Sequence, residues 1–510
     1  MRYKATYLSM LWLLTAAAAS FPQPQPPDIS WTKSYTGNNV ALMVEAPLLG
    51  VPAFDVKALQ DGSFVMTAYC THYRRERTGL WLCRVDSSGD TLWTRLIRFD
   101  DDLIRPQSNP GKRIVVTDSG DVAVIGETFL YDPPRVMFVL ADTSGEIIIT
   151  KNYDDSLRWW EAVDLCQTEG GFALLAEDKA WPMAVGGMHF RLIRINDEGE
   201  VLWTKSYGED GKWYMPRSII SLEDGGFIIC GYFVTDNHVS DKTFILRTDE
   251  SGEVVWLHFY GYLDGGILST PGLMQTGEDE FAAVAAFPTQ NGPDGWWDAQ
   301  ITWLGGEGEI LYTGNLIPIP PEVYPQCLIR TFDGGYALIG EKNYWMLRTD
   351  EWGSELYQHT YGDSICGGEG YAICATPDSG FVLGGKYVFW DDNLGRFRSG
   401  GALLMRLAPE VWPDAVRESV AAPQVFMLYP AFPNPFNASL AISYRLSAIS
   451  PVSLKLFDVA GREVRTLDEG VRAAGGHRMV MDGAELAAGV YLLRMTTPGF
   501  NLVQKVVLIK

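Results

Sequence analysis

The sequence predicts an all-β protein in two parts: a seven-bladed β-propeller closed by an N-terminal strand, and then a small β-sandwich. Short runs of β-branched and aromatic residues, each too short for a helix, alternate with glycine turns along most of the chain. This pattern returns seven times with a period of about 50 residues, which is typical of propeller blades. The C-terminal segment Val425–Lys510 follows a different pattern of strands and turns.

The repeating unit is clearest at Pro216–Tyr260, where four β-runs can be distinguished. The first two flank the tight turn Glu223–Gly226, in which glycine supplies a positive φ. After a variable loop, the last two flank a second turn at Glu250–Gly252. The residue that follows the first turn marks each copy of the unit: Phe64, Val122, Phe172, Phe227, Phe281, Tyr336 and Phe381.

The second turn has the form Asp-x-x-Gly, followed four residues after the glycine by a large side chain. Its copies are Asp86/Gly89/Trp93, Asp142/Gly145/Ile149, Asn196/Gly199/Trp203, Asp249/Gly252/Trp256 and Asp350/Gly353/Tyr357, with a degraded copy at Ala299–Tyr312. The motif resembles the tryptophan-docking motif of pyrroloquinoline-quinone-type propellers and, less closely, the Asp-box of sialidase-type propellers. In both families the motif packs neighbouring blades together. The resemblance therefore implies a structural role for the repeated tryptophans.

The ends of the repeat region predict how the ring closes. The seventh copy stops after its third β-run, at Ala402–Leu407, and no fourth run follows. An unpaired run at Ile29–Tyr35 precedes the first copy and matches Val201–Tyr207, the fourth run of another copy. We therefore expect the N-terminal strand to pair with the open edge of the last blade, so that the ring spans residues 29–407.

The segments outside the ring predict export. Met1–Ser20 has basic residues, an apolar stretch and a small-residue end, as a secretory signal peptide does. Phe21–Asp28 is a proline-rich spacer. No later run approaches the ~20 apolar residues of a membrane helix, so we expect no transmembrane anchor. The net charge of −22 argues against nucleic acid as a partner, because phosphate binding needs a basic face.

The cysteines suggest two disulfides and no metal site. Cys70 and Cys83 lie on consecutive predicted strands, and Cys366 and Cys374 flank the start of the seventh copy. Both pairs could bridge in an oxidising compartment, while buried free thiols are the alternative interpretation. No Cys-x-x-Cys or His-x-x-x-His spacing supports a zinc site, and we expect no metal and no cofactor.

The segment Ala408–Gln424 breaks the repeat and is predicted to be a linker, after which Val425–Lys510 alternates strands with glycine turns, as a small antiparallel sandwich does. Its motif residues are Pro433, Asn434, Pro435, Phe436, Asn437, Gly461, Arg462, Gly489, Tyr491 and Lys510. This segment resembles the type A C-terminal sorting domain of type IX secretion cargo, which is described as immunoglobulin-like. It departs from the usual pattern by an insertion, since Tyr429–Asn437 reads Tyr-Pro-Ala-Phe-Pro-Asn-Pro-Phe-Asn in place of Tyr-Pro-Asn-Pro-Phe-Asn, and by Met481 in place of a tryptophan.

The resemblance implies a route and a location. The chain would cross the inner membrane by its signal peptide, and the type IX secretion machinery would then carry it from the periplasm across the outer membrane. Its destination would be the extracellular space or the outer-membrane surface, with the tail cleaved in many members of the family. An ordinary accessory sandwich without a sorting role is the alternative interpretation.

The ring shows no catalytic motif, but its topology predicts a binding face. No Gly-x-Ser-x-Gly elbow, phosphate-binding loop or zinc-protease helix motif occurs. The loops after the second and fourth strands of each unit are long and varied, and in a meander they lie at one face. They carry aromatic and acidic residues suited to stacking on sugars or contacting peptides: Trp159, Trp160, Trp213, Tyr214, Trp296, Trp297, Trp390, Asp391 and Asp392. Packing between blades is the alternative role for these tryptophans.

These observations favour an exported binding or scaffold module for an extracellular polysaccharide or a surface protein, without catalysis. The alternative is a secreted propeller enzyme, a hydrolase or lyase that acts on glycans. A quinone-dependent dehydrogenase is suggested only by the docking-like motif, and no adjacent cysteine pair accompanies it. A purely structural role at the cell surface also stays open, because fold alone does not decide function.

Overall fold

The computed structural model is all-β throughout the residues that it describes. These are residues 24–35, 53–70, 79–98, 112–128, 135–154, 158–180, 187–234, 242–261, 269–277, 280–288, 297–314, 316–321, 323–362, 368–391, 396–410, 427–428, 431, 434–437, 439–446, 450–472, 475–498 and 500–509. That part of the chain contains no apolar helix of membrane-spanning length. The predicted signal peptide at 1–20 and most of the predicted linker lie outside the described residues.

The strands before residue 410 are short, as the sequence predicts. In chain order they are β1 (Ile29–Tyr35), β2 (Ala53–Ala58), β3 (Phe64–Cys70), β4 (Gly79–Val85), β5 (Thr91–Arg98), β6 (Arg113–Val116), β7 (Val122–Thr128), β8 (Arg135–Ala141), β9 (Ile147–Tyr153), β10 (Arg158–Thr168), β11 (Gly171–Ala180), β12 (Met188–Ile195), β13 (Val201–Tyr207), β14 (Trp213–Ser221), β15 (Phe227–Val234), β16 (Lys242–Thr248), β17 (Val254–Gly261), β18 (Ser269–Gly277), β19 (Glu280–Pro288), β20 (Trp297–Gly305), β21 (Ile310–Thr313), β22 (Ile317–Ile319), β23 (Pro325–Arg330), β24 (Tyr336–Gly340), β25 (Trp345–Thr349), β26 (Glu355–Thr360), β27 (Gly368–Ala375), β28 (Phe381–Asp391) and β29 (Arg396–Leu407).

These strands pair antiparallel with their neighbours in sequence. The meanders are β2–β5, β6–β9, β10–β13, β14–β17, β18–β21 and β23–β26, with β22 added beside β20. One bridge between Met188 and Trp213 joins two of the meanders into a larger sheet. The last sheet has the order β27-β28-β29-β1, so its fourth strand comes from the N-terminus.

The predicted role of the N-terminal strand is confirmed by its pairing. Residues of β1 pair antiparallel with β29 from Ile29 opposite Leu407 to Tyr35 opposite Ala402. The Ala408 amide extends this contact by donating to the Asp28 carbonyl at 2.8 Å. The edge of β29 that the sequence leaves open is therefore covered by the start of the chain.

The apolar core is divided into clusters that lie between successive sheets. Each first strand contacts the first strand of the next sheet, in the order β2, β6, β10, β14, β18, β23 and β27, and β27 contacts β2 again. One cluster joins the last sheet to the first, because Ala402 and Leu404 pack with Val56 and Trp81. The contacts between sheets thus return to their starting point.

The repeated turn motif holds neighbouring sheets together. The fourth strand of one sheet lies over the Asp-x-x-Gly turn of the next, and we call this the docking contact. Its tyrosine hydroxyl donates to the turn carbonyl in four copies: Tyr35 to Gly89 at 2.9 Å, Tyr153 to Gly199 at 2.8 Å, Tyr207 to Gly252 at 2.7 Å and Tyr260 to Gly308 at 2.5 Å. The Tyr35 copy joins the N-terminal strand to the first sheet.

The last sheet has no such turn, because its fourth strand is supplied by the N-terminus. The buried Glu410, which the sequence places in the linker, lies at this position instead. Its carboxylate accepts hydrogen bonds from Arg348 Nε at 3.0 Å and from the Tyr357 hydroxyl at 2.7 Å. The structural contacts of the ring therefore extend beyond Leu407 by a few residues.

The C-terminal segment forms two antiparallel sheets around its own core. Its strands are β30 (Met427–Leu428), β31 (Ser439–Leu446), β32 (Ser450–Asp458), β33 (Glu463–Arg472), β34 (Gly475–Asp482), β35 (Gly489–Thr497) and β36 (Phe500–Leu508). One sheet has the order β30-β31-β34 and the other β33-β32-β35-β36. Ile442 and Tyr444 of the first sheet pack against Leu454 and Leu493 of the second.

Of the two interpretations of the cysteines, the disulfides are wrong, and buried free thiols are confirmed for Cys83 and Cys374. Cys83 and Cys374 are free thiols, and both are buried in the cluster that joins the last sheet to the first. Burial raises the pKa of each thiol to about 12, so both stay protonated. The side chain of Cys70 and all of Cys366 lie outside the described residues. These strands place the cysteines in the core, which the sequence allowed as the alternative.

Candidate functional site

The topology defines one edge of the ring at which variable loops meet. The first and second strands of each meander are joined by a short glycine turn, so the second strand ends at the opposite edge. We call that opposite edge the variable edge; β10 begins there and β11 ends there. All candidate ligand-binding residues with described backbone lie at strand ends on this edge.

The candidate aromatic residues differ in how much a ligand could reach. Trp213, at the start of β14, is 39% exposed, whereas Trp160 and Tyr214 are 5% and 2% exposed. The expectation of an exposed side chain is therefore confirmed for Trp213 and wrong for Trp160 and Tyr214, whose rings pack into the clusters between sheets. Trp159 is half-buried at the start of β10.

The remaining candidates cannot be compared in the same way. Trp297 begins β20, and Trp390 and Asp391 end β28, so their backbones lie at the variable edge. The structure describes no side chain for these three, and Trp296 and Asp392 lie outside the described residues. The role of all nine residues in binding stays a prediction.

Trp160 is held by a buried ion network. The Arg191 guanidinium lies over the Trp160 ring at 4.4 Å, as in a cation–π contact. Arg191 donates to the fully buried Asp178 carboxylate at 2.8 Å, and Arg158 donates to its other oxygen. Because Asp178 is paired on both oxygens, it supports the ring of Trp160 and has little capacity left for a ligand.

An aromatic cavity of about 250 Å³ lies beside β14. Tyr214 lines it together with Phe190 and Tyr207, and the Ser206 and Glu209 side chains are the polar groups of its wall. The Tyr214 hydroxyl lies 3.5 Å from Glu209 Oε1. The cavity is at the small end of the range for ligand pockets and is mostly apolar, so it suits one ring of a ligand.

A cluster of six charged side chains lies at the variable edge of three adjacent meanders. It consists of Lys112, Glu127, Glu161, Glu177, Lys179 and Arg217, and we call it the charged cluster. Lys179 Nζ lies 2.9 Å from carboxylate oxygens of both Glu161 and Glu177. Arg217 reaches Glu177 at 3.1 Å, and Lys112 reaches Glu127 at 3.4 Å.

Glu127 is the most deeply buried acid of this cluster. Its side chain is 2% exposed, and burial raises its pKa to about 7, although Lys112 acts in the opposite direction. Its Oε1 faces Lys112, whereas Oε2 has no hydrogen-bond partner among the described groups. A carboxyl of this kind carries a proton in part of the population near neutral pH.

Glu177 differs from Glu127 in charge state. Burial acts to raise the pKa of Glu177, but Lys179 and Arg217 outweigh it and the pKa is lowered. Lys179 is held protonated, because the two carboxylates that it bridges raise its pKa more than burial lowers it. The edge therefore places an ionised acid and a titrating acid in one network, which is an arrangement found at functional sites.

Charged groups nearer the middle of the first strands have a structural explanation. Asp55 accepts the Val56 amide at 2.9 Å and the Ile114 amide of the next sheet at 2.8 Å. Asp164 repeats this arrangement two meanders further along, on Leu165 and Ile219. These carboxylates join adjacent first strands, and we do not include them in the site. Among the described residues, no group of acidic, histidine and cysteine side chains could hold a metal ion.

The sequence did not single out the charged cluster, but a signal for it exists. Counting five residues on from the marker residue of each copy gives Glu127, Glu177, Glu341 and Lys386 in four copies. Neighbouring positions of the second strand are buried and apolar. A charge recurring at the end of an apolar strand was thus a pointer to buried polar groups at the variable edge.

The sorting-motif residues of the C-terminal segment lie mostly within its own fold. The Asn434 side chain accepts the Val507 amide at 2.9 Å and donates to the Lys505 carbonyl at 2.8 Å. The Phe436 amide donates to the Val507 carbonyl at 2.8 Å, and its ring is fully buried. The motif thus covers the edge of β36.

The other motif residues divide between buried and exposed positions. The Tyr491 hydroxyl donates to the Ala487 carbonyl at 2.6 Å, and Gly461 has a φ of +78° in the turn before Arg462. Arg462, Gly489, Pro435 and Asn437 are exposed. Pro433 and Lys510 lie outside the described residues.

Comparison with known families decides the identity of this segment. Residues 430–510 match the family model described as "Secretion system C-terminal sorting domain". These residues are a type IX secretion C-terminal sorting domain. The sorting domain indicates export of the protein to the cell surface or the extracellular space, and it implies an interaction with the secretion machinery.

The comparisons say less about the ring. No curated protein matches the chain. Among solved structures, the chain is similar to prolyl oligopeptidase B from Galerina marginata (12% identity, TM-score 0.41, 79% of this chain and 57% of that one). It is also similar to the polysaccharide lyase Uly1 (9%, 0.42, 76% and 99%) and to the GH93 α-L-arabinofuranosidase of Fusarium graminearum (12%, 0.39, 57% and 91%).

The chain spans little more than half the length of the prolyl peptidases that it matches: 57% of prolyl oligopeptidase B and 55% of a second prolyl endopeptidase. At these identities and TM-scores the likenesses carry no argument about substrate or reaction.

Proposed function

We propose that residues 29–407 form a closed seven-bladed β-propeller that binds a glycan at its variable edge after export. The observation that carries this proposal is the charged cluster: six ionisable side chains, of which Glu127 and Glu177 are buried, gather where the variable loops meet. Burying charge is costly, and the docking contacts account for the cohesion of the ring without this cluster. A function in ligand recognition explains why the cost is retained.

Closure of the ring is supported by three kinds of contact at the junction of its ends. β1 completes the sheet of β27–β29, and β27 contacts β2. Tyr35 and Trp31 of β1 also make the docking contact on the first sheet, where Trp31 Nε1 donates to the Ser87 carbonyl at 3.0 Å. A ring of this kind gives the variable edge a rigid scaffold.

A glycan is favoured over a protein ligand by the composition of the edge. It combines the exposed face of Trp213 with charged groups that pair well with sugar hydroxyls. Screening the purified protein on a glycan array, with product analysis on each hit, tests the proposal. We expect binding to a restricted set of glycans. If no glycan binds, the result would indicate a surface protein as the ligand.

The alternative is an enzyme that cleaves glycans, and one observation favours it. Glu127 combines burial, a pKa of about 7 and neighbouring carboxylates, as a general acid does. The enzymatic function would be established if the protein forms products from the glycans that bind and if Glu127→Gln loses this activity while it still binds them. Binding without products would support the lectin-like function.

Export through the periplasm, directed by residues 1–20 and 425–510, is part of the proposal. Deleting residues 425–510 should leave the ring folded and trapped in the periplasm of the native host, because the machinery no longer has its signal. Fractionation of cells followed by immunoblotting measures this. Normal secretion of the shortened chain would contradict it.

A further inference from the structure

The Glu127 carboxyl has an unused binding capacity that the fold does not explain. Its Oε1 lies 3.4 Å from Lys112 Nζ, and its Oε2 is buried and without a partner in the described part of the chain. Buried polar atoms in folded proteins are almost always hydrogen-bonded, and an exception calls for an explanation. A ligand group that pairs with Oε2 would supply it.

The charges around Glu127 limit the class of that ligand. Lys112, the residue before β6, faces it, as do Glu161 of β10 and Glu177 of β11. Lys179 pairs with both of these acids, and Arg217 pairs with Glu177. An anionic ligand would be repelled by Glu161 and Glu177. A cationic ligand would meet the three basic side chains of the same cluster. Neither sign of charge is favoured, and an uncharged ligand meets no like charge at all.

A hydroxyl is the uncharged group that fits this carboxyl best. It donates to a carboxylate oxygen and accepts from a protonated carboxyl, so it pairs with Glu127 in either protonation state. The neighbouring Lys112 and Glu161 side chains are each 25% exposed, so a ligand reaches the buried Glu127 by displacing them. Trp213 begins the strand that carries Arg217 and offers an exposed aromatic face to a sugar ring.

We infer, on the basis of the glycan-binding function proposed above, that Glu127 binds a hydroxyl group of an uncharged saccharide and that the site discriminates against acidic glycans. Glu127 is thus a specificity-determining residue at the base of the charged cluster. The ligand class is the neutral polysaccharides, as opposed to uronic-acid polymers.

The experiment measures dissociation constants of the purified full-length protein for oligosaccharides of laminarin, galactomannan and xylan against those of alginate and polygalacturonate. We expect a neutral set to bind and the uronates to bind at least tenfold more weakly. Glu127→Leu should weaken neutral binding about 10- to 100-fold, because a hydrogen bond to an ionisable group is lost. Glu127→Gln should stay within a few-fold, because its amide still pairs with a hydroxyl.

Two further variants keep the test decisive. Glu253→Gln removes a carboxylate from a docking contact at the opposite edge and should leave binding unchanged. Glu161→Gln removes a negative charge that faces Glu127, so it should raise the affinity for the uronates; this variant decides the question if Glu127→Leu does not fold.

The outcomes separate this inference from the function on which it rests. Preferential uronate binding, wild-type affinity in Glu127→Leu, or unchanged uronate affinity in Glu161→Gln overturns the inference and leaves glycan binding standing. If no glycan binds, the proposed function is overturned, and so is this inference.

Discussion

Two turns with the same sequence pattern, one in each region of the molecule, have the same local geometry and different surroundings. In the ring, the Asp249 carboxylate accepts the amides of Ser251 and Glu253 at 2.9 and 2.8 Å. In the sorting domain, the Asp458 carboxylate accepts the amides two and four residues further on, both at 2.9 Å. Both turns end in a glycine with a φ of +78°.

The difference lies in what packs on that glycine. A Cβ on Gly252 would lie 2.8 Å from the Trp203 ring of the neighbouring meander, whereas a Cβ on Gly461 would meet nothing within 4 Å. The local hydrogen bonds therefore build the turn in both regions, and a tryptophan from the neighbouring meander makes the Gly252 turn an interface. In the ring the repeated residues hold neighbouring meanders together, and under the proposed function the residues at the variable edge bind the ligand.

The largest expected effect comes from removing β1, the strand that completes the last sheet. Deleting residues 21–35 exposes the edge of β29 and removes the docking contacts of Trp31 and Tyr35. We expect a loss of stability of about 5 kcal/mol or more, or no cooperative unfolding at all, since a whole strand and its core contacts are removed. Thermal unfolding followed by circular dichroism measures this, and an unchanged midpoint would show that the ring does not need β1.

Substituting the two turn glycines separates the turn from its packing. Gly461→Ala should cost about 1–2 kcal/mol, the strain of a positive φ on a residue with a Cβ. Gly252→Ala should cost about 2–5 kcal/mol, because the same strain is joined by overpacking against Trp203. Urea unfolding of the two variants gives the difference. Equal losses would mean that Trp203 does not hold the turn in solution.

Because of Glu127, we expect the free energy of unfolding of the wild type to depend on pH in a way that the Glu127→Gln variant lacks. Its pKa is raised from 4.5 to about 7 in the folded chain, so the folded state keeps a proton that the unfolded state releases in this range. The stabilisation is complete below pH 4.5 and is lost as the pH rises through 7, by about 3 kcal/mol in total. Urea unfolding at a series of pH values should show wild type losing stability relative to Glu127→Gln; parallel profiles would contradict the raised pKa.

The smallest expected effect lies in the sorting motif. Asn434→Ala removes two hydrogen bonds to β36 and should cost about 2 kcal/mol locally, whereas Asn437→Ala, at an exposed position, should cost less than about 0.5 kcal/mol. Amide hydrogen exchange at Val507 measures the difference, with exchange about 30-fold faster expected in the first variant. Equal exchange in both variants would show that the motif does not hold the last strand.

The sequence predicted the features that repeat and missed those that depend on packing between repeats. The strand β1 could be assigned because Ile29–Tyr35 copies another fourth strand, and the docking contact follows a motif visible in five copies. Glu177 could not be paired with Arg217, because the two side chains come from different meanders.

Burial misled the sequence-based predictions in two places. Trp160 and Tyr214 look like loop-edge aromatics, yet the clusters between sheets take up their rings. Cys83 and Cys374 look like halves of separate disulfides, yet they share one apolar cluster. In both cases the side chain lies on the face of the strand that packs against the next meander, and is therefore buried. The alternation of side chains along a strand predicts two faces, but it does not specify which meander covers each face.

The most direct test compares two tryptophans ten residues apart that the account assigns to opposite roles. Trp203 packs on the Gly252 turn, and Trp213 is exposed at the variable edge. For each alanine variant, the midpoint of thermal unfolding and the dissociation constant for the glycan found on the array are measured together. We expect Trp203→Ala to lower the midpoint of thermal unfolding and keep the affinity, and Trp213→Ala to keep the midpoint and lose affinity. The reverse pattern, or loss of both properties in both variants, would contradict the division between repeated residues that build the ring and variable residues that bind.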